Sequence, residues 1–248
     1  MDWEQTMTIQ SRTVDYKDGD TVLEGLVAWD DTHNKPKPGV MICHAWAGRS
    51  AFEDNKAVEL AKLGYTGFAL NLYGKGVLGS GPDENAALMT PFLDDRPMLQ
   101  KRLLLSLDTM RNQPEVDESK VAVIGFCFGG LCALDIARTG VDIDGVISFH
   151  GLFAAPGNTS GNKINAKVLA LHGWDDPMAT PDSVVAFGEE LTAMGADWQL
   201  HGYGNTMHAF TNPAADDAAL GTVYNELADR RSWVAMQDFL SELFGNQN

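Results

Sequence analysis

A cysteine between glycines in the stretch 125–129 (GFCFG) is the residue of this sequence best suited to do chemistry. The stretch follows an apolar run (VAVI) and precedes a helical pattern, so it is predicted at a tight turn from a strand into a helix. A nucleophile on such a turn has a strained backbone, and bulky residues in place of Gly125 or Gly129 would clash with it. The turn lifts the Cys127 thiol above the sheet edge, where the positive end of the helix dipole favours the thiolate.

The acid that would assist this thiol is expected further along the chain. Where a nucleophile occupies such a turn, the order is nucleophile, acid, histidine, which excludes the upstream His33 and His44 as the base. The acid should follow a later strand, and the strand run 167–172 (KVLALH) is followed by Gly-Trp-Asp-Asp-Pro. Either Asp175 or Asp176 fits this position. Asp176 is preferred because it has the Gly-x-x-Asp spacing of such loops and precedes a proline that fixes the next turn.

The histidine is expected in a loop after the next strand. His201 lies within that strand pattern, where an ordinary strand side chain explains it. His208 lies beyond the strand, in the loop 204–210 (GNTMHAF), and before the last helical segment. A set formed by Cys127, His208 and Asp176 would activate the sulfur through the imidazole, with the acid fixing the imidazole tautomer.

Two backbone amides are expected to stabilise the oxyanion that forms during acyl transfer. One belongs to Phe128, directly after the nucleophile, and the other to Trp46, in the loop after the strand run 39–44 (GVMICH). The sequence contains no H-E-x-x-H and no Cys/His spacing typical of zinc, so neither a metal nor a cofactor is predicted. Four further residues near the same sheet edge are expected to line a substrate pocket: Phe126, His150, Phe153 and Trp174.

The elements that must position these residues alternate along the chain. Apolar strand runs and helical patterns follow one another from residue 39 to residue 244, which is typical of an α/β fold with a mostly parallel sheet and helices on both faces. No linker composition and no internal repeat interrupts them. The prediction is therefore a single domain over residues 1–248, with a catalytic core at about residues 20–245.

Structure is also predicted for two further segments of the chain. The Gly/Pro/Asp-rich stretch 74–97 is predicted to be a long functional or lid loop. It contains G-x-G-x-x-G at 74–79, but the loop pattern continues where a dinucleotide-binding fold would begin a helix, which argues against that fold. The last helix is predicted at about residues 222–244.

Composition and charge limit the classes of function. The 248 residues include 34 Asp and Glu against 18 Lys and Arg, a net charge of −16. Such a field repels nucleic acid and anionic membranes, and no run reaches the roughly 20 apolar residues of a membrane span, so the expected partner is a small molecule. Three cysteines without C-x-x-C spacing, and no signal peptide in residues 1–5, indicate a cytoplasmic protein. We expect a monomer or a small homo-oligomer.

Together these motifs resemble the dienelactone hydrolase family of the α/β-hydrolase superfamily. The similar segments are VMICHAWAG, GYTGFALNLYGKG, GFCFGG, SFHG, HGWDDP and MHAF, in that order. The resemblance implies a single-domain α/β-hydrolase fold that hydrolyses an ester or an enol-lactone through an acyl-enzyme, with Cys127, Asp176 and His208 in the triad positions. A broad carboxylesterase or thioesterase of the same fold is one alternative. A homologue that binds a small molecule without hydrolysing it is another.

Two positions depart from the pattern that this resemblance implies. The founding enzymes carry a glutamate that hydrogen-bonds the resting thiol, and Ala45 stands at that place here. They also hold the substrate carboxylate with an arginine shortly after the catalytic histidine, whereas 209–212 (AFTN) contains none. Lys75 and Arg96 are the candidates for a second carboxylate-binding cation. These departures argue against dienelactone itself as the physiological substrate.

Overall fold

Eight strands form one sheet in a computed structural model of the protein, which describes residues 8–32 and 35–247. His33 and residues 1–5, on which two of the sequence arguments rest, lie outside this part. The strands of the sheet are β1 (Ile9–Asp18), β2 (Thr21–Asp30), β3 (Lys37–Cys43), β4 (Thr66–Ala69), β5 (Val116–Phe126), β6 (Gly145–Phe149), β7 (Lys167–Gly173) and β8 (Trp198–Tyr203). The helices are α1 (Ala51–Lys62), α2 (Pro82–Asp94), α3 (Arg96–Arg111), α4 (Phe128–Arg138), α5 (Pro181–Ala193) and α6 (Glu226–Phe244).

The strand order of the sheet is β1-β2-β4-β3-β5-β6-β7-β8. All pairs from β4 to β8 are parallel, whereas β2 pairs antiparallel with both β1 and β4. The predicted, mostly parallel sheet is therefore confirmed. The carboxyl ends of the parallel strands meet at one edge, so the loops that follow them converge on a common site.

Side chains that alternate along the central strands divide the core into two layers. In β3, Val40 and Ile42 belong to the layer that α1 and α6 cover, whereas Met41 and Cys43 belong to the layer that α3, α4 and α5 cover. Consecutive strand residues point to opposite faces, and here both faces are apolar. This explains why the strands read as continuous apolar runs, and it confirms helices on both sides of the sheet. No helix among residues 8–32 and 35–247 is long and apolar enough to cross a bilayer.

The stretch 74–97 is not a loop throughout, because Pro82–Asp94 form the helix α2. The prediction of one long loop was wrong for a physical reason. A proline in the first turn of a helix loses no hydrogen bond, and the acidic Asp83 and Glu84 interact favourably with the positive end of the helix. The residues that suggested a loop are therefore the start signals of a helix.

The last helix begins later than predicted, at Glu226. Residues Thr222–Val223 (β10) pair instead with Asp216–Asp217 (β9) in a short antiparallel ribbon. This ribbon also holds the backbone of His208, whose amide donates to the Gly221 carbonyl at 2.9 Å and whose carbonyl accepts from the Val223 amide at 3.0 Å. The segment that replaces the first turn of the predicted helix thus positions the histidine loop.

The turn from β5 into α4 is packed too tightly for side chains at its glycines. A Cβ atom on Gly125 would lie 1.9 Å from the carbonyl oxygen of Gly129, and one on Gly129 would lie 2.1 Å from the carbonyl oxygen of Cys43. Cys127 has φ 57° and ψ −117°, a conformation that residues with a Cβ rarely adopt. The close approach of α4 to the sheet therefore depends on these glycines.

Replacing Gly125 with alanine is expected to lower the free energy of unfolding by about 3 kcal/mol, because the new methyl group overlaps backbone atoms that have no room to move. Gly204→Ala is the matched control, since its Cβ would meet nothing within 4 Å. Urea denaturation of both variants measures the effect. Equal stability of Gly125→Ala and the parent protein would contradict this account of the turn.

Candidate active site

Cys127 lies at the carboxyl edge of the sheet, and its side chain is partly exposed. Its backbone amide donates to the carbonyl oxygen of Phe149 and to Nδ1 of His150, both at 3.1 Å. These two bonds hold the left-handed backbone of the nucleophile in place. The structure thus puts the thiol where the sequence predicts it, on a strained turn directly before a helix.

His208 and Asp176 form a buried pair near this thiol. Nδ1 of His208 lies 2.7 Å from Oδ2 of Asp176, and the two residues are only 1% and 2% exposed. The other carboxylate oxygen accepts from the amide of Met178 at 2.8 Å. With Nδ1 donating to the carboxylate, Nε2 is the ring atom available to the sulfur. Asp175 is exposed, so the structure places Asp176, and not Asp175, against the histidine.

The thiol and the imidazole shift each other's pKa. Burial raises the pKa of Cys127, but the charge of His208 and hydrogen bonds from that ring and from two backbone amides outweigh it, so the pKa is lowered. Burial lowers the pKa of His208, but the charge of Cys127 and the hydrogen bond with Asp176 raise it to about 10. Nε2 of His208 is buried without an oxygen or nitrogen partner. These opposite shifts favour a thiolate–imidazolium ion pair.

The two amides that act on the sulfur belong to Phe128 and Trp46. Phe128 is the first residue of α4, where backbone N–H groups have no partner within the helix. Trp46 lies in the loop between β3 and α1. Both amides therefore converge on Cys127, which is the arrangement needed to stabilise an oxyanion on a group bonded to its sulfur.

Buried side chains anchor the loop that carries the Trp46 amide. Nδ1 of His44 lies 2.6 Å from the Ala45 carbonyl, and Nε2 accepts from the amide of Leu72 at 3.2 Å. Burial lowers the pKa of His44 to about 4, so the ring is neutral and its tautomer is fixed by these two bonds. The hydroxyl of Tyr73 donates to the Trp46 carbonyl at 2.9 Å.

Glu53, in the first turn of α1, also anchors this loop and was missed by the sequence reasoning. Its Oε1 accepts from the Ala45 amide at 3.2 Å, and its Oε2 accepts from the amide and the hydroxyl of Ser50, both at 2.8 Å. The spacing Ser50-x-x-Glu53 is that of a capping box, which could have revealed the helix start. No residue pattern indicates that this carboxyl group also lines the cavity beside Cys127.

A cavity of about 450 Å³ opens beside Cys127. Phe126 and His150 line it, as expected from the sequence, and Trp46, expected there only for its amide, lines it too. Nδ1 of His150 accepts from the Cys127 amide and Nε2 lies 2.8 Å from the Thr211 hydroxyl. Burial lowers the pKa of His150 well below its usual value, so this ring is a neutral wall residue and not a second base.

Phe153 and Trp174 do not line the cavity, and their assignment to the pocket was wrong. Phe153 is buried in the core, where its ring stacks on Phe187 with centroids 4.4 Å apart. Trp174 is 47% exposed and meets His172 edge-on. Both residues follow strands at the correct edge, but the direction of a loop side chain is not encoded in its place in the sequence.

Neither candidate for a carboxylate-binding cation lies in the cavity. Lys75 binds Asp15 and Glu24 on the surface, at 2.8 and 2.9 Å. Arg96 is buried, and its Nε donates to Asp135 of α4 at 2.7 Å. These partners balance both charges, so neither cation is placed to bind a carboxylate in this cavity.

Comparison with known proteins decides the family. The family model for the Dienelactone hydrolase family matches residues 23–244. The chain belongs to this family. The predicted membership, the α/β-hydrolase fold and the class of enzyme, a hydrolase of ester bonds, are therefore confirmed.

Individual relatives agree with this assignment. An uncharacterized protein of Caenorhabditis elegans is 37% identical over 61% of this chain and 98% of its own length. A putative carboxymethylenebutenolidase of Aquifex aeolicus is 27% identical over 82% of this chain and 88% of its own. The crystal structure of P91, a dienelactone hydrolase-like promiscuous phosphotriesterase from metagenomic libraries, superimposes with a TM-score of 0.90 at 36% identity, covering 96% of this chain and 99% of that one. A putative dienelactone hydrolase from Klebsiella pneumoniae, at 19% identity and a TM-score of 0.79, shares the fold over 95% of this chain and 99% of its own.

Alkylation of Cys127 by iodoacetamide is expected to titrate below pH of about 8.5, the usual pKa of a free thiol, because His208 and the two amides stabilise the thiolate. Cys43 and Cys132 serve as internal controls, since burial raises the pKa of each and should make them react far more slowly. In His208→Ala the titration of Cys127 should move to higher pH, because burial is then opposed by the amides alone. Peptide mass spectrometry over a range of pH measures all three thiols, and an unchanged midpoint in His208→Ala would contradict the ion pair.

Proposed function

We propose that this protein hydrolyses carboxylic esters through a covalent acyl-enzyme on Cys127, with His208 as the base and Asp176 as its orienting acid. The observation that carries the proposal is the buried 2.7 Å bond between His208 and Asp176 beside a thiol whose pKa is lowered. A thiolate is the nucleophilic form of cysteine, and the lowered pKa of Cys127 favours this form before substrate binds.

Acylation follows from this arrangement. The thiolate of Cys127 attacks the acyl carbon, and the amides of Phe128 and Trp46 stabilise the oxyanion that forms. His208, protonated at Nε2, gives this proton to the departing alkoxide as the carbon–oxygen bond breaks. In a lactone the departing alcohol stays attached to the acyl group, so it leaves only after the second step.

Deacylation uses the same groups in reverse. His208, now neutral at Nε2, takes a proton from a water molecule that attacks the thioester carbon. The carbon–sulfur bond breaks, the carboxylic acid is released, and the thiolate is again paired with the imidazolium. Asp176 accepts from Nδ1 throughout, which keeps Nε2 facing the reaction and stabilises the protonated ring.

Hydrolysis of phosphotriesters is a second candidate function. The P91 structure, whose title names a promiscuous phosphotriesterase, matches this chain over 96% of its length. A neutral triester would present a phosphoryl oxygen to the same two amides and a phosphorus atom to the same thiolate. Turnover of paraoxon that is lost in Cys127→Ala would support this second activity.

Hydrolysis of p-nitrophenyl acetate should fall about 10³-fold or more in Cys127→Ala, because the nucleophile is gone. Cys127→Ser should retain weak activity at most, since a serine hydroxyl is ionised far less easily than a thiol and depends wholly on His208. Cys132→Ala is the control, as this thiol is buried in α4. Wild-type turnover in Cys127→Ala would refute the proposed mechanism. Absence of turnover in the wild-type protein, with a Cys127 no more reactive than the buried thiols, would favour a protein that binds without hydrolysing.

Asp176→Asn is expected to lower kcat about 10³-fold, because an asparagine no longer holds the protonated Nδ1 of His208 and no longer stabilises the imidazolium. Asp175→Asn should leave kcat within about twofold, since this neighbouring carboxylate is exposed. Steady-state kinetics of the two variants measure the difference. The reverse result would assign the acid to Asp175.

A further inference from the structure

We propose that the active-site cavity accepts esters whose acyl group is uncharged and rejects those that carry a carboxylate, and that Glu53 is the residue that determines this choice. The inference rests on the proposed function and names the substrate class of the same site. It is carried by the charges on the cavity wall, by the hydrogen bonds of Glu53 and by the ion pairs that occupy Arg49.

The cavity wall offers no cation to an anionic acyl group. Among the described residues that line it, none is lysine or arginine, and Glu53 is the residue with an acidic side chain. Arg49 is the basic residue next in sequence to the lining residues Gly48 and Ser50. Its guanidinium binds Glu24 at 2.9 Å and lies 3.6 Å from Asp54, so its charge is already balanced.

Glu53 is bound in the manner of a carboxylate. Both oxygens accept hydrogen bonds, Oε1 from the Ala45 amide and Oε2 from the amide and hydroxyl of Ser50, and the Ser50 hydroxyl itself accepts from the Phe52 amide. Burial raises the pKa of Glu53, and the hydrogen bonds from Ser50 and Ala45 oppose this rise and favour the carboxylate. With 2% of the residue exposed, a negative charge here is poorly screened by water and acts on whatever enters the cavity.

The catalytic residues provide no spare positive charge. His208 lies 2.7 Å from Asp176 and interacts with Cys127, so a positive charge on its ring is already shared between these two acidic groups. The rest of the wall includes the apolar side chains of Met89, Leu152 and Leu220. A substrate carboxylate in this cavity would lose water without gaining a charged partner, which is strongly unfavourable. Burying an alkyl chain of the same length in the cavity is favourable, because its apolar surface is removed from water.

A matched pair of substrates tests the choice. p-Nitrophenyl pentanoate and mono-p-nitrophenyl glutarate have the same acyl length and leaving group, and differ in whether the chain ends in a methyl or a carboxylate group. We expect kcat/KM of the wild-type protein to be about 100-fold lower for the glutarate ester, since a buried unpaired charge costs several kcal/mol. Comparable kcat/KM for the two esters would overturn the inference.

Variants with altered charges test whether the cavity charges cause the difference in kcat/KM between the two esters. Glu53→Gln keeps the size of the side chain and one acceptor oxygen, and should raise the ratio of glutarate to pentanoate kcat/KM about tenfold. If Glu53 only anchors the loop, both esters lose activity equally and the ratio does not change, which would refute its role in specificity.

Leu220→Lys adds a cation to the cavity wall, at a residue that is 42% exposed, and should raise the same ratio of glutarate to pentanoate kcat/KM. Val234→Lys, on the outer face of α6, adds the same charge away from the cavity and should leave both rate constants unchanged.

Protection of Cys127 tests the same inference without turnover. Pentanamide and glutaramate match the two acyl groups but are amides, used as ligands at short incubation times. Pentanamide should slow alkylation of Cys127 by iodoacetamide at concentrations at which glutaramate has no effect, and glutaramate should protect in Leu220→Lys. Equal protection by both would refute the selectivity. Loss of ester hydrolysis with retained selective protection would refute the proposed function and leave the selectivity intact, so the two failures are distinguishable.

Discussion

The contact between the backbone of the β5–α4 turn and its neighbours is the constraint on which the active site depends. Gly125 and Gly129 allow α4 to approach the sheet so closely that Cβ atoms would overlap carbonyl groups. This approach places the amide of Phe128, the strained Cys127 and the end of β3 within reach of one another. The helix dipole, the oxyanion amides and the nucleophile therefore share one origin, which is the absence of two side chains.

The same helix is fixed at its other end by charge. Asp135 and Arg138 of α4 are fully buried. Asp135 accepts from Nε of Arg96 of α3 at 2.7 Å, and Arg138 donates to Glu190 of α5 at 2.9 and 2.7 Å. Arg138 also donates to the carbonyl of Phe153, in the loop after β6. Buried ion pairs contribute little net stability, but they permit few alternative arrangements. The nucleophile is thus carried by a helix that close packing holds at one end and ion pairs hold at the other.

The fold and the candidate triad could be predicted because local signals encode them. The glycines around Cys127 and the apolar strand runs follow from short-range chemistry, and the places of Asp176 and His208 follow from the order of partners expected after such a turn. The sequence could not reveal which way Phe153 and Trp174 point, because loop geometry decides this. Nor could it show Glu53 in the cavity wall, since its contact with Ala45 depends on how α1 packs against the end of β3. Pro82 and its acidic neighbours were misread because turns and helix starts use the same residue types.

The ribbon of β9 and β10 has a consequence for how such an enzyme diverges. Its inner backbone holds His208, and a Cβ on Gly221 would lie 2.2 Å from Pro177 in the acid loop, so this part tolerates little change. Its tip carries the exposed Leu220 at the mouth of the cavity. One short segment therefore joins a crowded half, which sets the alignment of His208, to an exposed half at the mouth of the cavity. Mutations at the tip can alter substrate range while the alignment of the base is inherited intact.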